Sequence, residues 1–129
     1  MNKYTYILVG FVALGILAFF LYRPVSGGTL NSVDFINKFK NTPNAVMLDV
    51  RTPAEFGAGH IANAVNIDYN NPSLFANEIK KLDPTKTYFV YCRSGSRSSQ
   101  AIVLMKKESI NNIYELQGGI VSSPEVLRY

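Results

Sequence analysis

Tryptophan is absent from this chain, and cysteine and histidine occur once each. A single cysteine excludes an intramolecular disulfide framework. One cysteine with one histidine is also too few soft ligands for a structural zinc site, so no metal and no cofactor is expected. Charge of one sign is scarce as well: 13 Lys and Arg stand against 9 Asp and Glu, a formal net charge of +4 over 129 residues. Two of the basic residues, Lys3 and Arg23, only flank an apolar run, and the slight excess that remains has no clustered basic face of the kind nucleic acid requires. What is present is apolar: 47% hydrophobic and 12% aromatic residues exclude a disordered chain and support a packed core. The length suits one small domain, not two.

The longest apolar run lies at the start. Tyr4 to Tyr22 carries no charge, with Thr5 as its clear polar interruption. As a helix it would reach about 28 Å, close to a hydrocarbon core of about 30 Å. Tyr4, Tyr6 and Tyr22 sit towards its ends, where amphipathic rings favour the headgroup level, and Arg23-Pro24 stops it. A single-pass membrane anchor through residues 4–22 is therefore expected, with a cleaved export signal cut near Val25-Ser26-Gly27 as the alternative. Positive charges on the two sides nearly balance. The short N-terminus with Lys3 ahead of an apolar run favours a domain facing outwards, towards a periplasm, or released there after cleavage. The segment Val25 to Thr29 reads as a glycine-bearing linker, giving an N-terminal unit over residues 1–27 and a domain over 28–129.

From about residue 30 short apolar runs alternate with helical patterns. Asn31 or Ser32 caps a helix with Val33, Phe35, Ile36 and Phe39 on its inner side, ending near Asn41. Ala45 to Val50 is a continuous apolar run closed by an Asp, as in a strand buried on both faces. Pro53 opens a short helix, Ala64 to Ile67 reads as a strand, and Leu74 to Leu82 is helical before a turn at Asp83 to Lys86. Tyr88 to Tyr91 is the clearest strand by β-propensity, Gln100 to Lys107 a helix with Ala101, Val103, Leu104 and Met105 available for packing, and Ile113 to Leu116 a last strand. Strands alternating with helices predict an α/β fold whose parallel sheet is covered on both faces, with ligands beyond the carboxyl ends of the strands.

Chemistry is therefore expected just after Tyr91, where Cys92-Arg93-Ser94-Gly95-Ser96-Arg97-Ser98 leads into a helix. A cysteine at the end of a buried strand and at a helix N-terminus meets unpaired backbone N–H groups and the positive end of the helix dipole. Thiolate is favoured there, and Arg93 and Arg97 add positive charge, so the thiol pKa is expected below its ordinary value of about 8.5. Gly95 and the small serines let successive N–H groups turn inwards as an anion nest. The bland alternative is an inert core cysteine, for which two arginines and a glycine within five residues would have no use.

These residues resemble a known family. Cys92 through Ser98 looks like the active-site loop of the rhodanese sulfurtransferases. Leu48-Asp49-Val50-Arg51, Glu55-Phe56 and Gly59 through Ile67 resemble the upstream signature, and Gly118-Gly119 the closing turn. The match runs from about Leu30 to the C-terminus. It implies a parallel central sheet of about five strands with helices on both faces, here preceded by one hydrophobic helix. It also implies an enzyme in which Cys92 takes a sulfane sulfur as a persulfide from a small anionic donor, such as thiosulfate, and passes it to a thiol or cyanide-like acceptor. Residues Arg93, Ser94, Gly95, Ser96, Arg97 and Ser98 would bind the substrate, with the N–H groups from Arg93 to Arg97 holding the persulfide as an oxyanion hole holds oxygen.

Asp49, Arg51 and Glu55 read as a supporting hydrogen-bonded ion pair rather than as catalysts. His60 reads as structural, since a thiolate already formed needs no base. Asn63 stands where the family often has Gly and tolerates the left-handed turn. Ile120, Val121 and Leu127 are expected to fill the space that a Trp commonly takes after Gly118-Gly119. A second reading keeps the fold as a persulfide carrier or binding module for a membrane partner, without turnover. A phosphatase or arsenate reductase is disfavoured: Arg97 follows Cys92 by five residues, one fewer than in the loop that encircles phosphate, and no Asp acid on a mobile loop is identified.

Overall fold

The computed structural model describes residues 2–21 and 26–129, with side chains of residues 19–21 outside that description. Helix α1 spans Lys3–Leu21. Its described large apolar side chains, from Ile7 to Leu17, are all more than half exposed, and so is Tyr4. Among the described residues no helix is long and apolar enough to cross a membrane. The expected span is therefore not supported. Its proposed end at Tyr22, the stop at Arg23-Pro24 and Val25 of the proposed cut site lie outside the described residues.

Strand β1 is Gly27–Leu30, followed by α2 (Ser32–Asn41), β2 (Ala45–Asp49), α3 (Pro53–Ala58), β3 (Val65–Asn66) and α4 (Pro72–Ile79). Then come β4 (Thr87–Tyr91), α5 (Ser96–Lys107), β5 (Ile113–Leu116), α6 (Gly119–Ser122) and a 3-10 turn at Pro124–Arg128. The strands form one five-stranded sheet, ordered β1-β5-β4-β2-β3, with every pair parallel. The supposed linker is therefore part of the fold: Gly27 to Leu30 pairs with Ile113 to Leu116 as an edge strand. Its composition hid it, since glycine weakens strands on its own and only the β5 backbone partner makes one here.

Side chains alternate across the central strand and divide the core in two. Tyr88, Val90 and Cys92 join Ala101 and Met105 of α5 and Phe75 and Ile79 of α4 on one face. Phe89 and Tyr91 join Phe35 and Ile36 of α2, with Ile120 and Val126, on the other. Phe35 and Phe39 both meet Phe89 edge-on, with ring centroids 5.4 Å apart, an arrangement worth about 0.5–1.5 kcal/mol per pair beyond burial alone.

Three apolar positions depart from expectation. Val33 and Val103 face solvent at 65% and 54% exposure, because each lies off the arc of its helix that meets the sheet. Val121 is also exposed; Val126 from the 3-10 turn, fully buried, fills that space beside Ile120. Asn63 takes the left-handed conformation, φ 62°. The predicted strand over 64–67 contracts to Val65–Asn66, a short edge element held by Leu48 and Asp49.

Candidate active site

Every predicted site residue except His60 lies where β2 and β4 end or in the elements that follow them. Cys92 follows directly on β4 and is fully buried, with its side chain on the α5 face. Although packed in that apolar cluster, its sulfur has polar neighbours on the loop side. The Gly95 N–H points at Cys92 Sγ from 3.1 Å and the Ser98 N–H from 3.4 Å, with Ser98 Oγ also at 3.4 Å. The chain turns tightly enough for this because Gly95 adopts φ 98°, a conformation open to glycine at little cost. Gly95 also caps α5 without a side-chain hydrogen bond, so a first-turn N–H is left for the sulfur. Among the described residues, two backbone N–H groups, from Gly95 and Ser98, reach the Cys92 sulfur.

The loop is clamped from the far side by the Gly118-Gly119 turn. The Ile120 N–H donates to the Cys92 carbonyl at 3.1 Å and the Val121 N–H to the Arg93 carbonyl at 2.9 Å. Gly119 has φ 64°, and a Cβ there would collide with the Arg93 carbonyl and the Ser94 nitrogen. The glycine pair thus permits two backbones to touch.

The two arginines have different surroundings. Arg93 is exposed, and among the described residues no acidic group pairs with it. Arg97 is held: its Nη1 and Nη2 donate to the two carboxylate oxygens of Glu55 at 2.7 and 2.9 Å. Glu55 is itself fixed by the capping box of α3, its Oε2 accepting the Thr52 N–H at 2.9 Å. The Arg97 guanidinium, against some burial and helped by Thr52, holds the Glu55 carboxyl down at about 2; the same contact raises Arg97. Glu55 was expected beside Asp49 and Arg51; it instead fastens the loop to α3, and the Arg97 guanidinium is committed to a carboxylate.

Asp49 and Arg51 form the expected pair. Asp49 is fully buried and takes Nε of Arg51 on both oxygens at 3.0 Å, Nη2 at 2.7 Å and the Arg51 N–H at 2.9 Å. Arg51 also donates to the Gly59 carbonyl at 2.6 Å and lies over the Tyr91 ring. Burial first, then the Asp49 charge, pushes the Tyr91 phenol up, and its oxygen accepts the Ile61 N–H. His60 stacks on Phe56 with centroids 3.6 Å apart, and its Nδ1 lies 2.8 Å from the Phe56 carbonyl. It joins the wall of this region by packing.

One residue was missed. Glu115 of β5 faces the same side of the sheet as Cys92 and sits 2.7 Å from the hydroxyls of both Ser98 and Ser99. The signal was available: a lone acid inside the apolar run Ile113 to Leu116, at a position where alternation points inwards.

Comparison with known proteins agrees with the geometry. The family described as Rhodanese-like domain matches residues 32–122. A sulfurtransferase of Allochromatium vinosum is 29% identical over 93 residues, which is 72% of this chain and 84% of that protein. A tRNA uridine(34) hydroxylase of Pelagibacter ubique is 35% identical over 86 residues, 67% of this chain, but the chain spans only 29% of that longer relative. A crystal structure of a rhodanese-related protein from Thermoplasma volcanium superimposes with a TM-score of 0.64 at 34% identity, covering 75% of this chain and 90% of that one.

Proposed function

Because the chain belongs to the rhodanese-like domain family, we propose that it is a sulfurtransferase carrying sulfane sulfur on Cys92, with thiosulfate or a persulfide as donor. The Cys92 thiolate attacks the outer sulfur of thiosulfate; the donor S–S bond breaks, and sulfite leaves with the bonding pair. Cys92 then bears a persulfide whose terminal sulfur is negative. A thiolate or cyanide acceptor attacks that sulfur, the cysteine S–S bond breaks, and Cys92 leaves as thiolate. No proton or external electron is needed, which suits a sulfur whose hydrogen-bond partners among the described residues are two N–H groups and a hydroxyl.

The observation that carries this reading is the pair of N–H groups, Gly95 and Ser98, aimed at Sγ. Such donors act most strongly on charge in a site closed to water. Exposed Arg93, free of an acidic partner among the described residues, is the side chain proposed to draw in the anionic donor. Mass spectrometry after thiosulfate treatment tests the reading: one added sulfur on Cys92 is expected, with none in Cys92→Ser. Absence of that sulfur in the wild-type protein overturns it. Steady-state thiosulfate:cyanide turnover then separates an enzyme from a carrier that loads once.

Within the same proposal, the N-terminal helix seats the domain at a lipid surface, with the domain outward. Support comes from its side chains: Ile7, Leu8, Phe11, Leu14 and Leu17 are all exposed, and they leave no polar face. A helix apolar all round is stable only when covered by protein or lipid. Full-length protein is expected to resist alkaline extraction from membranes and to be digested by protease added to intact cells; recovery in the soluble fraction with residues 1–27 still attached overturns this part.

A further inference from the structure

We propose that Glu115 is a positioning residue for the nucleophile: its carboxylate draws the Ser98 hydroxyl hydrogen away from Cys92, so that Ser98 meets the sulfur as an acceptor and a third donor is withheld from the thiolate. The proposal rests on the reading of Cys92 as the sulfur carrier and adds a control on its ionisation.

A serine hydroxyl has one hydrogen to give. Ser98 is fully buried, and its Oγ has three neighbours: Glu115 Oε1 at 2.7 Å, the Gly95 carbonyl at 3.1 Å and Cys92 Sγ at 3.4 Å. A hydroxyl directed at an ionised carboxylate at that distance makes a charge-assisted bond, about twice as strong as a neutral one. The hydrogen therefore lies on the Glu115 side, and a lone pair faces the sulfur. That lone pair satisfies an S–H and repels a thiolate. Removing the carboxylate frees the hydroxyl to rotate and donate to the sulfur beside the two N–H groups.

Glu115 is placed for this by strand register. It stands opposite Val90 of β4 and Thr29 of β1, on the face where Cys92 and the first turn of α5 meet. The Ser99 hydroxyl, also 2.7 Å from Oε1, fixes the same carboxylate oxygen. Other charges around the thiol are Arg93 beside it, Arg97 of α5 with Glu55 of α3, and the Asp49–Arg51 pair beyond β2. Lys106 of α5 lines the same surface cavity as Glu115 but forms no ion pair with it. None of these is altered in the variants below.

The thiolate absorbs in the ultraviolet, and with one cysteine in the chain its titration reads Cys92 alone at pH values below those at which phenols ionise. In Glu115→Ala the midpoint is expected to fall by about one pH unit, the effect of gaining a hydrogen bond to the charged form. In Ser98→Ala background the same replacement is expected to move it by less than half as much, because the hydroxyl that transmits the effect is gone. Glu115→Gln, which keeps the shape and a neutral acceptor, is expected to shift in the same direction by less, and it serves if Glu115→Ala fails to fold. An unmoved midpoint in the single variants, or an equal fall with and without Ser98, overturns the proposal; the latter means that the charge acts through space. The titration needs no sulfur donor. A wild-type protein that never gains sulfur overturns the sulfurtransferase reading and leaves this result standing.

Discussion

Asp49 keeps a charge in a position with no solvent contact, and it does so through four hydrogen bonds from one residue, Arg51. An ion pair in such a place contributes little net stability against an apolar pair of the same size, yet breaking it from one side strands the other charge. Asp49→Asn is therefore expected to lower unfolding stability by about 3–5 kcal/mol, read as a reduced urea midpoint with unchanged slope. Tyr91→Phe, which leaves the buried Ile61 N–H without its partner at 3.1 Å, is expected to cost about 1–3 kcal/mol on the same measurement. Asp49, Arg51 and Cys92 could be picked out from the sequence because residue types carry their chemistry wherever they fold. The partner of Arg97 could not, since Glu55 stands 42 positions away and nothing local joins the two.

Elements meet at the loop through two devices. The first is the Glu55–Arg97 pair, which ties the start of α5 to α3. Glu55 is held at about 2 in the fold against an ordinary value near 4.5. The depressed value means that this contribution is fully present above about pH 4.5 and is lost as the pH falls towards 2. Because the pair is partly exposed to solvent, the effect is a modest one. The wild-type protein is expected to lose stability across that window more steeply than Glu55→Gln, compared by thermal melts at stepped pH; parallel curves would refute the linkage. The second device is the Gly118-Gly119 turn. Gly119→Ala puts a methyl group into the Arg93 carbonyl from a left-handed backbone. It is expected to slow sulfur uptake at Cys92 at least tenfold while the far-UV circular dichroism stays native, since the loop must shift and the sheet need not. The helices themselves were largely legible from caps and periodicity, as at Asn31 and Thr52. Their exposed faces were not, because Val33 and Val103 are apolar residues on the solvent side, and a sequence does not say which arc of an amphipathic helix the sheet covers.

At the scale of the whole molecule, the sheet needs its first strand. Gly27 to Leu30 covers the edge of β5, which carries Glu115 behind the nucleophile. Protein beginning at residue 26 is expected to fold and load sulfur as the full chain does. Protein beginning at residue 32 is expected to melt lower and to aggregate, with β5 left as an open edge; equal melting temperatures would show β1 to be dispensable. The sequence alone was sufficient for the alternating α/β plan, the two-faced parallel sheet and the cysteine loop at its carboxyl end. Those follow from local hydrophobic period, turn chemistry and residue type, which act over a few neighbouring positions. Tertiary structure alone decided that a glycine-rich stretch is a strand, that Arg97 is committed to Glu55, and that Glu115 reaches Ser98. Each of these depends on groups distant along the chain being brought within hydrogen-bonding distance and shielded from water, and the strength of a polar contact is set by that desolvated geometry rather than by the identity of either partner.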